Sequence, residues 1–209
     1  MVLHTSSSSF HEATNVKGAN EELLRNSSIK LEPKLLSRSQ DVKVTADVRG
    51  NLGPIEVIKQ ANAGTNWIKD RWQAASDMHG TAIKGQHWVT LEFPSQSTIN
   101  VSKVVIDWEA AYAKDYRLEG KQTDDGDWCV LYDGNDNSQE FRRKVIETGQ
   151  SPGVKFKMPL HVIHTIDLHD ILDKCPSLRY LRLFINKSEM GWGVSIWQFD
   201  VYGTDSPIQ

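Results

Sequence analysis

Cysteine is scarce. The 209 residues hold only Cys129 and Cys175, too few for a disulfide-dense scaffold or a zinc site of four thiolates, though enough for one disulfide or two thiols. A basic excess is missing as well: 24 Lys and Arg against 27 Asp and Glu leave a formal charge of -3. No positive field therefore draws in a phosphate backbone or an anionic membrane, and nucleic acid is not an expected partner. No apolar run approaches the roughly 20 residues of a membrane helix, so no transmembrane segment is expected. The opening stretch MVLHTSSSSFHEATN lacks the apolar centre of a secretory leader. What the chain has in quantity is tryptophan, at 67, 72, 88, 108, 128, 192 and 197. An indole buries a large area and also stacks on flat apolar ligand faces.

Residues 1–41 are rich in Ser, Asn, Glu and Lys and show only a short Leu pattern. They read as an N-terminal extension or docking arm. From residue 42 the texture becomes short apolar alternations broken by Gly, Asp, Asn and Pro, which predicts an all-β domain over 42–204 with a tail at 205–209. HWVTLEF sets Val89, Leu91 and Phe93 on one face, and SKVVIDW sets Val104, Ile106 and Trp108 opposite Val105 and Asp107. Asp125-Gly126 predicts a turn between YRLEGKQ and WCVLY. HVIHTIDL, RYLRLFI and SIWQFDVYG supply three more strands, with HDILDKCP as a helical turn ended by Pro176. At least seven strands without long helices point to a sandwich or jelly roll. In the last strand Trp197, Phe199 and Val201 are expected inside, and Gln198, Asp200 and Tyr202 outside. Trp192, between Gly191 and Gly193, belongs to a turn or loop; it reads either as a ligand platform or as a ring folded back over the open end of the sandwich.

NAGTNW, HWVTLEF, VVIDWEAAYAKDYRLEG, TDDGDW, RYLRLFI and VSIWQFDVYG, in this order over about 42–204, resemble the discoidin or coagulation-factor type C domain of the galactose-binding-like fold. WEAAYAKDY is most similar to versions found beside glycan-active enzymes. The resemblance implies an eight-stranded jelly roll whose loops bind ligands at one end, without catalysis, and suggests an extracellular setting. It also assigns Trp67, Trp88 and Trp128 to the core. Many members hold a structural calcium through the first loop and a Glu of the last strand. Here VIKQANAGTNW has no acidic residue and Gln198 stands at the Glu position. Asn62, Thr65 and Gln198 would make at best a weak site for a hard cation, and a loop tied by hydrogen bonds without the ion is the expected state. The disulfide that usually joins the domain's two ends has no counterpart.

The loop-borne candidates for ligand contact are Arg71, Trp72 and His79 around RWQAASDMHG, Glu109 and Tyr112 after the WE corner, and Asn186 and Trp192 near the end. A sugar site needs an aromatic face for the apolar side of a pyranose and planar polar groups as hydrogen-bond forks for its hydroxyls. Trp72 or Trp192 with Arg71, Glu109 and Asn186 would supply both. Asp107 and Glu109 invite a glycosidase reading, but neighbours on one strand do not face each other across a cleft, and no nucleophile motif accompanies them. His161, His164 and His169 lack metal-motif spacing. The expected function is therefore non-catalytic binding of a glycan or polysaccharide. The alternative is a protein-interaction subunit in which the same loops and the N-terminal arm dock onto a larger protein or complex.

Overall fold

The computed structural model describes residues 32–47, 54–61, 64, 66, 69–74, 86–134, 161–169, 175, 177–188 and 193–207. The chain divides into two units, Met1–Leu31 and Glu32–Gln209, and the fold described belongs to the second. Its strands are β1 (Lys34–Leu35), β2 (Lys43–Ala46), β3 (Trp72–Gln73), β4 (His87–Glu92), β5 (Ser97–Trp108), β6 (Ala113–Lys121), β7 (Cys129–Asp133), β8 (Val162–Asp167), β9 (Tyr180–Ser188) and β10 (Ser195–Pro207), with one short 3-10 helix at Ile55–Lys59. They form two antiparallel sheets. One has the order β1-β10-β5-β8 with β3 also paired to β10, and the other the order β2-β4-β9-β6-β7. This is the expected all-β sandwich.

Period-two alternation builds the core. Val89, Leu91 and Phe93 from β4 and its end, Leu181, Leu183 and Ile185 from β9, and Val104, Ile106 and Trp108 from β5 are sealed between the sheets. Each such side chain contributes roughly 1.5–3 kcal/mol of burial. The β6–β7 hairpin forms as expected, its turn closed by the Gly126 amide donating to the Thr123 carbonyl at 3.2 Å.

Three expectations change. The sandwich starts before residue 42: β1 pairs with β10, Leu36 is buried in the core, and Ser37 Oγ accepts the Val201 amide at 3.1 Å. At its other end β10 runs to Pro207, into the expected tail. Trp88 and Trp128 are only half-buried. Trp128 is capped by cations, with the Arg182 guanidinium 3.9 Å and the Lys121 ammonium 5.0 Å from its ring centre. Trp67 and most of the expected helical turn at 169–176 lie outside the described residues.

The antiparallel register defines two ends. At one, the rim, β2, β5, β7 and β9 finish and β4, β6, β8 and β10 begin; at the other, the foot, those directions reverse.

Candidate functional site

The rim is built on the corner that links the two sheets. β5 ends at Trp108, and the corner turns back because the Glu109 amide donates to the Ser195 carbonyl at 3.0 Å and the Ser195 amide donates to the Ala111 carbonyl at 2.8 Å. The Glu109 carboxylate accepts the Ala111 amide at 3.0 Å and pairs with Arg71 at 3.1 Å. Arg71 also donates to Ser195 Oγ at 3.2 Å. Both charged side chains are almost wholly buried. Burial lowers the Arg71 pKa, and Glu109 opposes that shift. The two residues meet as the sugar-fork reading requires, but they fasten the corner from inside and do not face solvent.

Trp72 is corrected in the same way. It forms half of the two-residue strand β3, pairs with Ile196 of β10 and is 0% exposed. Its ring cannot stack on a ligand. Tyr112 likewise packs into the core cluster. His79 and Trp192 lie outside the described residues. Gly193, which follows Trp192, has φ 85°, a left-handed turn that favours glycine.

A β-bulge explains Trp197. The register shifts between Ile196 and Gln198, so Ile196 and Phe199 both point into the core while Trp197 is turned out of the alternation. It is still buried. The His161 ring stacks on it at 5.5 Å, and the Arg71 guanidinium lies 5.9 Å from its centre. His161 Nδ1 in turn sits 3.0 Å from both oxygens of Asp107. Burial raises the Asp107 pKa, His161 opposes the shift, and Asp200 adds to it. The two carboxylates weighed for catalysis therefore have separate partners, His161 for Asp107 and Arg71 for Glu109.

The same geometry bears on calcium. Gly64 has φ 60°, and a Cβ there would run into the His161 ring. The loop therefore closes on an imidazole. The Gln198 amide donates to the Asp200 carboxylate, which Arg38 also grips at 2.9 and 3.2 Å. Asn62 and Thr65 lie outside the described residues; among the described residues no group of three or more His, Cys, Asp or Glu could hold a metal. A calcium ion finds a poor fit, because the nearby carboxylates already serve His161, Arg38 and Gln198.

Among the described residues, a row of partly exposed polar groups lies at the rim end of the second sheet. Gln86 Nε2 donates to Asn186 Oδ1 at 3.3 Å, and Asn186 Nδ2 donates to Asp115 Oδ1 at 3.0 Å. This row crosses the start of β4, the end of β9 and the start of β6. Beside it, Asp47 accepts the Trp88 amide at 3.1 Å and lies 2.8 Å from His87 Nδ1. Of the sequence candidates, Asn186 alone among the described residues is part of this partly exposed row. Gln86 and Asp115 were missed because each flanks a strand start, where alternation says nothing about aim. A hollow of about 350 Å³ lies at the foot, away from this row, between Leu36, Val42, Phe93 and Ile99 with Lys34 and Asp205 at its edge.

No protein-family model matches the sequence, and no curated protein matches it. Solved structures do. The chain is similar to chitosan-binding module 1 of a chitosanase/glucanase from Paenibacillus sp. IK-5, at 17% identity and a TM-score of 0.50 over 79% of this chain and 98% of that one. It is similar to the family 32 CBM from C. perfringens NanJ in complex with galactose, at 11% identity and a TM-score of 0.52 over 81% and 98%. A Clostridium perfringens module in complex with GalNAc-β-1,3-galactose aligns at 13% identity and a TM-score of 0.50 over 80% and 99%. At these identities the likeness establishes the fold, the galactose-binding-like sandwich that the motif order implied.

Proposed function

We propose that this chain is a non-catalytic carbohydrate-binding domain that holds a glycan at the rim. The observation that carries the reading is the row Gln86, Asn186 and Asp115: planar amide and carboxylate groups, partly exposed, fixed by mutual hydrogen bonds at the end of a sandwich whose structural neighbours are carbohydrate-binding modules. Such pre-set groups engage sugar hydroxyls at little cost in side-chain entropy. Trp192, in the Gly-flanked loop that leads from β9 into β10, is assigned the stacking role that Trp72 cannot fill. The separate engagement of Asp107 by His161 and of Glu109 by Arg71 supports binding without catalysis.

A glycan array that includes galactose-terminated and chitosan oligosaccharides tests this with the wild type, Asn186→Ala and Trp192→Ala. Binding to at least one glycan class is expected, with each substitution weakening it by about tenfold or more, the equivalent of roughly one good hydrogen bond or stacking contact. No binding to any glycan, or binding indifferent to both substitutions, would end the proposal.

A further inference from the structure

Cys129 opens β7, the edge strand of the second sheet at the foot, and Cys175 lies in the connection from β8 to β9 at the same end. The fold brings them together. Cys129 stands opposite Gly120 in the β6–β7 register. Gly120 is the place where Leu178 packs down: a Cβ on that glycine would lie 2.6 Å from Leu178 Cδ2. Leu178 follows Cys175 by three residues and is itself fixed, because it exchanges backbone hydrogen bonds with Ile99 at 2.8 and 3.3 Å. Both cysteines are half-buried free thiols packed against the core cluster, and they lie close enough for each to affect the other's ionisation.

We propose that Cys129 and Cys175 are a disulfide-forming pair, a covalent cross-link that staples edge strand β7 to the β8–β9 connection. β7 and β8 are each an edge strand of their sheet, and Val130 and Ile163 on them are large exposed apolar residues, at 45% and 58%. Exposed apolar edges invite strand addition, and a cross-link would tie the β7 edge to a residue outside its own sheet. This link differs from the end-to-end disulfide of the discoidin resemblance, which the chain lacks.

The chemistry is thiol–disulfide exchange with a small-molecule disulfide such as oxidised glutathione. One cysteine thiolate attacks it, forming a mixed disulfide and releasing one glutathione thiolate. The second cysteine thiolate then attacks the protein sulfur, closing the Cys129–Cys175 bond and releasing the other. Two protein thiols are oxidised, and one glutathione disulfide is reduced to two thiols. In either order Cys175 must act once as the nucleophile. Burial and the neighbouring Cys129 push the Cys175 thiol up to about 11, so whichever of the two steps uses Cys175 as nucleophile should quicken about tenfold per unit of pH from about 7 to 9.

The test uses the full chain in a glutathione redox buffer of oxidising poise, with thiol titration after denaturation, intact mass and thermal melting. The expected result is loss of both thiols together in a monomer lighter by about two mass units, with Tm roughly 5–10 °C above that of the reduced chain. Reductant should reverse all three changes. Cys129→Ser and Cys175→Ser should each remove the Tm gain. Two thiols that stay titratable, two separate glutathione adducts, or an intermolecular dimer in place of the intramolecular bond would overturn the proposal, and these wild-type readouts need no variant to fold.

Discussion

Arg71 and Glu109 pair where almost no water reaches either. Such a pair is most vulnerable to loss of one partner, because the survivor is left as a buried uncompensated charge. Glu109→Ala should therefore cost about 3–5 kcal/mol in urea denaturation, while Arg71→Met combined with Glu109→Leu should recover much of the loss. Equal loss in the single and double variants would show that packing, not charge, holds the corner. His164 offers a second residue-level test. Its Nδ1 accepts the Tyr116 hydroxyl between the sheets, and burial lowers its pKa to about 4. The unfolded chain takes up a proton near 6.5 whereas the folded one does not, so stability must fall as pH drops from 6.5 toward 4, by on the order of 3 kcal/mol in all. Asp107, whose pKa burial raises, acts in the opposite sense, since its contribution is present at low pH and lost as pH rises through its folded pKa. His164→Leu should therefore make stability fall less steeply than in the wild type as pH drops from 6.5 to 5.

At the scale of elements, β5 and β10 pair over their whole length and carry the first sheet, with register shifts at Ile196/Gln198 and at Tyr202/Gly203. The second shift brings Gly203 so close to the Asn100 carbonyl that any Cβ would collide with the backbone. Gly203→Ala should cost about 2 kcal/mol or more and lower Tm by several degrees, because neither strand can yield without breaking its ladder. A neutral substitution would mean that the strands are not in this register. Strands long enough to alternate, such as β4, β5 and β9, were legible in the sequence, with Val89, Leu91, Phe93, Val104 and Ile106 all buried as read. β1 and β3 were not, since two residues contain no period. That is why Trp72 read as a loop residue. Trp197 is buried as read, although the bulge beside it breaks the alternation on which that reading rested.

At the scale of the whole molecule, the fold was legible because motif order constrains it across most of the chain. The rim was less so, because its groups are aimed by corners and register ends: Asn186 could be picked out near a strand end, whereas Gln86 and Asp115 carried no pattern to mark them. The charge balance has its own consequence for the rim. With a net charge of -3 spread over both signs, the chain lacks a field that steers charged partners, and Asp115 at the rim follows Lys114 in sequence and stands opposite Lys187 in register. Recognition of an uncharged glycan would rest on hydrogen bonds and stacking, whose strength hardly depends on ionic screening. A contact with a polyanion or an oppositely charged protein would weaken steeply as the screening length shrinks. Calorimetric titration of the best glycan should therefore show affinity changing by less than about twofold between roughly 0.05 and 0.5 M NaCl. A tenfold or greater decline over that range would mean that long-range charge holds the ligand, and the uncharged-glycan reading would give way to a charged polysaccharide or a protein partner.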